Sequence, residues 1–350
     1  MKKALITGIT GQTGSYLAKL LLGKNYVVYG IKRRTSTINN STSRLEELIN
    51  FKKFYNKKLF LFYADLNDYY SLKNIIDKTS PDEIYNLAAQ SHVQISFELA
   101  EYTTKVNSIG VLNLLNIIKD KKKKIKFYQA STSEMFGNQN KVPLTENSIM
   151  DPASPYGASK LFAYHLVKNY RESYNIFASN GILFNHESPL RGENFVTRKI
   201  TIGLSRIYYG LNRILELGNL DSKRDWGHAR DYAFAIWKIL QLKKPVDIII
   251  CSGKNYSVRD FLKECFKYLK IKIKFSGKKL NEKIYDKNNK LWVKVNKKYI
   301  RPKDIDNLIG SAAFAKKIIG WKNKTSFKSL VKEMMDYDLN KTKIEKNNKN

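Results

Sequence analysis

Tyr156 and Lys160 are the two residues of this 350-residue chain whose chemistry is easiest to read. A phenol in water has a pKa near 10, so only about one tyrosine in a thousand is ionised at neutral pH. A lysine four residues on stands on the same helical face, and its charge favours the phenolate. A phenolate can take a proton from a hydroxyl group. The spacing alone says little, because Tyr69/Lys73, Tyr164/Lys168, Tyr268/Lys272 and Tyr299/Lys303 share it in so tyrosine- and lysine-rich a chain. Position separates Tyr156 from the others. It opens a helix after Pro152 and Pro155, one loop beyond a strand that ends in Ala130-Ser131-Thr132-Ser133-Glu134. Thr132 offers a hydroxyl to hold a reacting oxygen, and Glu134 a carboxylate to move a second proton. The plainer readings are turn and capping chemistry for 131–133 and a surface carboxylate for Glu134.

A second constellation lies at the N-terminus. An apolar strand at 4–7 runs into Gly8-Ile9-Thr10-Gly11-Gln12-Thr13-Gly14 and then directly into a helix. Gly8 permits the tight turn, Gly11 lets backbone approach a pyrophosphate, and Gly14 lets the helix pack on the strand. The helix N-terminus adds free N–H groups and the positive end of its dipole. Between a strand and a helix, such a triplet marks a dinucleotide site. After the second strand come Lys32, Arg33 and Arg34 rather than the acidic residue that binds the ribose diol of NAD. Positive charge there suits a 2′-phosphate, so NADP is the expected cofactor, with Arg33 and Arg34 forking onto phosphate oxygens. Asp65-Leu66 after the third strand is placed to meet the adenine, and Leu87-Ala88-Ala89 after the fourth to lie along the cofactor. With oxidised nicotinamide adding its charge to that of Lys160, Tyr156 becomes the base that removes a proton as hydride leaves the same carbon. No metal ligand set is read.

The elements needed to position these residues follow from hydrophobic periodicity. Strands are expected at 4–7, 26–31, 59–63, 83–87 and 125–129, alternating with helices at 15–22, 71–76 and 106–118. Repeated βα units imply an α/β fold, a doubly wound parallel (Rossmann) sheet covered on both faces. The second half is less regular, with helices near 159–172, 197–209, 233–240 and 258–268 and strands at 176–183 and 247–251. It reads as a smaller mixed α/β substrate domain. The expected division is a cofactor domain at 1–183 with returning segments about 228–252, an interleaved substrate domain at 184–338, and a disordered polar tail at 339–350.

Bulk composition narrows the classes. No window approaches 18 uninterrupted apolar residues, so no membrane span is expected. The few apolar residues after Met1-Lys2-Lys3 are too short for a signal peptide, and Cys251 and Cys265 suggest no disulfide framework, so a cytoplasmic protein is expected. A formal net charge of +32 invites a nucleic-acid reading. The lysines, however, are spread along the whole chain, and the dense run from Lys121 to Lys124 falls where a helix ends. No nucleic-acid partner is expected, while an anionic substrate gains from the positive field.

Taken together, the glycine turn, Ser131-Thr132-Ser133-Glu134 and Tyr156-x-x-x-Lys160 resemble the extended short-chain dehydrogenases that act on nucleotide sugars. Within these the chain is similar to the GDP-mannose 4,6-dehydratase family over roughly residues 1–335. The specific stretches are Leu87-Ala88-Ala89-Gln90-Ser91-His92-Val93, Phe184-Asn185-His186-Glu187-Ser188-Pro189, Arg191-Gly192-Glu193-Asn194-Phe195-Val196-Thr197-Arg198-Lys199-Ile200 and Lys223-Arg224-Asp225-Trp226-Gly227-His228. The resemblance implies that Tyr156 removes the 4-hydroxyl proton while carbon 4 gives hydride to NADP. Glu134 then takes the carbon-5 proton and helps expel the 6-hydroxyl as water, and hydride returns to carbon 6. It also implies that Thr132 binds the reacting oxygens and that Lys160 holds the nicotinamide ribose. Substrate contacts are implied for Ser91, Asn185, Glu187, Val196, Lys199, Leu217, Gly218, Arg224, Arg301 and Asp304. The implied assembly is a homodimer or homotetramer in which the loop at 33–40 reaches a neighbouring cofactor.

The chain departs from the family pattern at Thr13, where aspartate is usual, at Leu190, where arginine is usual, and at Asp304, where glutamate is usual. Leu190 bears on the local cofactor or subunit contact, whereas Asp304 and the lysine-rich segment 277–298, which departs from the family pattern, leave room for a GDP-linked heptose in place of a GDP-linked hexose. An epimerase or reductase of the same fold is the next alternative, and a non-catalytic binding protein the one after that.

Overall fold

Short buried apolar runs followed by amphipathic helices build the first half. The computed structural model describes residues 1–34, 42–300 and 305–348; Arg301, Asp304 and positions 35–41 lie outside the described residues. In chain order come β1 (Lys3–Thr7), α1 (Gln12–Gly23), β2 (Val27–Lys32), α2 (Ser43–Leu48), α3 (Phe51–Phe54), β3 (Leu59–Tyr63), α4 (Tyr69–Thr79) and β4 (Glu83–Asn86). Then follow α5 (Val93–Glu98), α6 (Ala100–Thr104), α7 (Gly110–Lys119), β5 (Lys126–Thr132), α8 (Pro155–Tyr174) and β6 (Ala178–Leu183). The second half supplies β7 (Asn185–Glu187), α9 (Val196–Tyr208), β8 (Leu215–Leu217), β9 (Lys223–His228), α10 (Ala229–Leu240), β10 (Asp247–Ile250), β11 (Asn255–Ser257) and α11 (Val258–Tyr268). It closes with β12 (Ile273–Ser276), β13 (Lys283–Asp286), β14 (Leu291–Val295), β15 (Asn307–Leu308), α12 (Ala313–Ile319) and α13 (Phe327–Asn347).

Among the described residues, β10, β6, β5, β4, β1, β2 and β3 lie side by side in that order, and every pairing is parallel. One face carries α1 and α10, through Leu17, Leu21, Ala233 and Ile236. The other carries α4, α7 and α8, through Leu72, Leu114 and Val167. Strands covered on both faces lose polar alternation, and β4 and β6 are buried at every position. This is the doubly wound α/β architecture expected from the sequence. The chain winds outward from β1 in both directions, so the strand order reverses between β1 and β4. A crevice opens there at the carboxyl ends. Thr7 and Asn86 end those two strands in register, and the Thr7 hydroxyl donates to Asn86 Oδ1 at 2.5 Å.

The remaining strands form two smaller sheets, β11-β9-β15 with β7 beside β9, and β12-β13-β14-β8. Their core joins Ile200 and Leu204 of α9, Trp226, Phe261 and Phe266 of α11, and Met334 and Met335 of α13.

Two expectations need correction. The helix expected at 106–118 begins with a π-helical turn at Lys105–Ile109 before α7; such turns cluster at functional sites. The tail expected to be disordered from 339 is helical through Asn347. Only one face of that helix needs to be apolar, and its buried stripe of Leu330, Val331, Met334 and Met335 continues through Asp338 and Thr342. Asp338 is buried against Arg198, with 2.8 Å between Oδ1 and Nη2, and Glu345 pairs with Arg206.

Candidate active site

The crevice at the strand switch is a cleft of about 1100 Å³ that continues across to the second half. Gly8 adopts φ +67°, a conformation that costs glycine nothing, and a Cβ there would lie 2.8 Å from the Ala88 nitrogen. The Thr7 hydroxyl accepts from Leu87 N and Ala88 N at 3.1 Å each, which fixes the segment after β4 against the glycine turn. Gly11 caps α1 without a side chain, leaving first-turn N–H groups for an anion. Gln12 and Thr13 reach across to the second half: Gln12 Nε2 donates to the His186 carbonyl at 2.9 Å, and Ser188 Oγ donates to Gln12 Oε1 at 2.7 Å.

The cleft wall brings together Gly8, Gly11, Gln12, Thr13, Gly14, Arg33, Asp65, Leu66, Leu87, Ala88 and Ala89. Arg33 and Arg34 are both exposed, and Arg34 does not line the cleft. Ile31, Lys32 and Arg33 line the cleft in succession, and Arg33 is hydrogen-bonded to the Tyr102 hydroxyl.

Thr132, Glu134, Tyr156 and Lys160 line the same cleft and are all buried. Ser154 caps α8 by accepting from Gly157 N at 3.1 Å, and Pro155 occupies the first turn, where its missing N–H costs nothing. Gly157 lets α8 press on the segment after β5, since a Cβ there would lie 2.7 Å from the Glu134 carbonyl. The Tyr156 N–H donates to Ser96 Oγ at 3.2 Å. Asn107, in the π-helical turn, donates to the Gln90 carbonyl at 3.0 Å and to Ser159 Oγ at 3.1 Å, tying α8 to the strand switch.

The electrostatics differ from the expectation for Lys160. Its ammonium donates to the Ala130 carbonyl at 2.9 Å, and burial pulls it down to about 8. Burial pushes the Tyr156 phenol up to about 12; the Thr132 hydroxyl bonded to it works against that rise, as does the charge of Arg191, while Glu134 adds to it. Among the protein's own groups, then, Tyr156 is held as a phenol, and Lys160 does not set its acidity.

On the far side, Ser91, Asn185, Glu187, Val196, Lys199, Leu217, Gly218 and Arg224 line the cleft. Asn185 Oδ1 is buried with no partner among the described residues. Glu187 is turned to internal work: it accepts from the Thr197 hydroxyl at 2.5 Å and sits 3.2 Å from Arg191 Nε, while burial raises its carboxyl. Arg224 donates to the Ile305 carbonyl at 2.6 Å. Lys199 lies 3.2 Å over the Tyr299 ring and is brought down to about 8, chiefly by burial. Tyr102, His186 and Arg191 also line the cleft, beyond the residues expected there from the sequence. His186 and Arg191 fall in or beside stretches that carry the resemblance, whereas nothing local in the sequence marks Tyr102 or Asn107.

A doubly wound sheet with a glycine turn at its switch point, and a Tyr-x-x-x-Lys helix beside it, defines the class of extended short-chain dehydrogenases. The profile of the family described as GDP-mannose 4,6 dehydratase matches residues 5–334, and the chain belongs to that family. The GDP-mannose 4,6 dehydratase of Drosophila melanogaster is 48% identical over 342 residues, covering 97% of this chain and 86% of that one. The Homo sapiens protein of the same name is 49% identical over 340 residues, covering 96% and 91%. Among solved structures, the dTDP-glucose 4,6-dehydratase of Bacillus anthracis in complex with NAD superposes with a TM-score of 0.78 at 20% identity, covering 100% of this chain and 98% of that one. Among the described residues, no helix is long and apolar enough to cross a membrane.

Proposed function

We propose that the chain converts GDP-mannose to GDP-4-keto-6-deoxymannose, with NADP recycled within each turnover. The observation that carries this reading is that Glu134 lines the same buried cleft as the Tyr156–Lys160 pair, with Thr132 hydrogen-bonded to the phenol. An oxidoreductase needs only a tyrosine acid-base group; a dehydratase needs a second group to move the carbon-5 proton, and Glu134 is that group.

The residues present fit a dinucleotide. The Gly8 turn, the uncapped start of α1 and the cleft-facing Arg33 match an adenine dinucleotide diphosphate with a 2′-phosphate. Bound there, the nicotinamide supplies the acceptance and return of hydride. Tyr156 takes the proton of the 4-hydroxyl, and the cofactor's positive charge opposes the burial that otherwise holds it as a phenol. Thr132 holds the reacting oxygen. Glu134 removes the proton from carbon 5, acidified by the new ketone, and returns it to the departing 6-hydroxyl. Lys160, fixed by Ala130, presents its remaining N–H groups to the ribose of the cofactor. Asn185 Oδ1 accepts from the sugar, and Lys199 and Arg224 neutralise the substrate diphosphate. The curated relatives named GDP-mannose 4,6 dehydratase support the substrate. An assembly of two or four copies is part of the same proposal.

The test is incubation of the purified protein with GDP-mannose and no added reductant, followed by mass spectrometry. Loss of one water with no net change in reduced cofactor supports the reading. No turnover of GDP-mannose, with turnover of a GDP-linked heptose, overturns the named substrate and keeps the chemistry.

A further inference from the structure

Thr13 and His186 make a contact that neither the catalytic scheme nor the phosphate turn requires. His186 Nδ1 lies 2.9 Å from the Phe184 carbonyl oxygen. A carbonyl only accepts, so Nδ1 carries a hydrogen. The side chain is half-buried, its ring stacked on Tyr232 with centroids 4.7 Å apart at 21°, and loss of solvent around the ring with the nearby charges of Arg191 and His228 pulls its pKa down to about 4. At neutral pH it therefore holds a single hydrogen, and Nε2 offers a lone pair. Nε2 lies 2.8 Å from Thr13 Oγ1, so the threonine hydroxyl is the donor.

We propose that Thr13 is a positioning residue that locks His186 in its neutral Nδ1–H tautomer and thereby fixes the distance between the cofactor turn and the substrate wall. The two ends of this link justify the assignment. Thr13 sits in the first turn of α1, where the pyrophosphate is received. His186 sits in β7 between Asn185, which faces the substrate side, and Glu187, which holds Arg191. With the two Gln12 bonds to the same segment, the Thr13–His186 bond makes α1 and β7 one rigid piece. A carboxylate at position 13 has no proton to give at neutral pH and would demand one on Nε2, forcing either an imidazolium or the loss of the Phe184 bond.

The proposal rests on the cleft being a dinucleotide site, but its first test needs no cofactor. Two-bond proton–nitrogen spectra of the full chain labelled with ¹⁵N-histidine, with His186 assigned by His186→Asn, should show the neutral Nδ1–H form at pH 7. They should show the same form in Thr13→Ser. Thr13→Val should lose the Nε2 hydrogen-bond shift and weaken NADP binding about threefold to tenfold, the worth of one hydrogen bond. Thr13→Ser should restore binding to near the parent value. An Nε2–H form or an imidazolium at pH 7 would overturn the assignment, whatever the fate of the variants. Unchanged NADP affinity in a folded Thr13→Val would overturn the positioning role.

Discussion

Lys160 Nζ donates to the carbonyl of Ala130 at 2.9 Å, so the lysine that follows the candidate tyrosine by one helical turn is anchored to β5 rather than to the tyrosine. Its acidity is set by burial. The charged form is present below its pKa and is lost as pH rises through about 8. The value of kcat should therefore fall above pH 8, because kcat reports groups in the substrate complex. Lys160→Met should lower kcat at neutral pH and flatten that limb.

Lys199 titrates in the same range, near 8, but lies on the substrate wall over Tyr299. Loss of its charge should raise KM for the GDP-sugar above pH 8 without touching the cofactor constant. Lys199→Gln should raise KM about tenfold or more at pH 7, in line with one charge-assisted contact, and remove the pH dependence of KM. Steady-state kinetics across pH 6.5 to 9.5, a range of about three units spanning both groups, separates the two lysines by parameter.

Gly157 sets how closely α8 approaches Glu134. Gly157→Ala puts a methyl against the Glu134 carbonyl, so helix and loop must part. Overpacking of this kind costs about 1–3 kcal/mol, and a displacement at the site costs roughly a hundredfold in rate. The expected result is a modest fall in Tm with a much larger fall in kcat; equal wild-type kinetics would show that this contact is not needed.

Much of this was legible beforehand, for stated reasons. The parallel sheet announces itself through fully buried runs such as 83–86, and the glycine turn through three glycines spaced between a strand and a helix. Tyr156 could be told from the other Tyr-x-x-x-Lys pairs by its place after β5. Three things were not legible. The direction of the Tyr156 shift depends on burial, which spacing does not show. The separation of Arg33 from Arg34 depends on where the chain leaves the cleft after β2, with Arg33 meeting Tyr102 from a distant helix. The helix to Asn347 depends on a buried stripe that includes Asp338 and Thr342, polar residues that look solvated until Arg198 and Thr201 are seen to meet Asp338 and the Thr342 hydroxyl to donate to the Asp338 carbonyl.

That last helix carries its own prediction. Asp338→Ala leaves Arg198 buried and unpaired, a loss of about 3–5 kcal/mol, whereas removal of the residues after Asn347 should leave Tm unchanged. Thermal unfolding of both variants, with and without GDP, measures the difference.

Recognition of the 2′-phosphate by Arg33 is tested by Arg33→Ala, which should weaken NADP about tenfold or more while leaving NAD nearly unchanged. Equal loss for both cofactors would assign Arg33 to the diphosphate instead.

The central claim is that one cleft both removes and returns the same hydride while Glu134 moves the proton between. GDP-mannose deuterated at carbon 4 tests it most directly. The account predicts a dehydrated product with the deuterium at carbon 6, and for Glu134→Gln no dehydrated product, with reduced cofactor left behind. Product carrying solvent hydrogen at carbon 6 and no label, or full dehydration by Glu134→Gln, would contradict it.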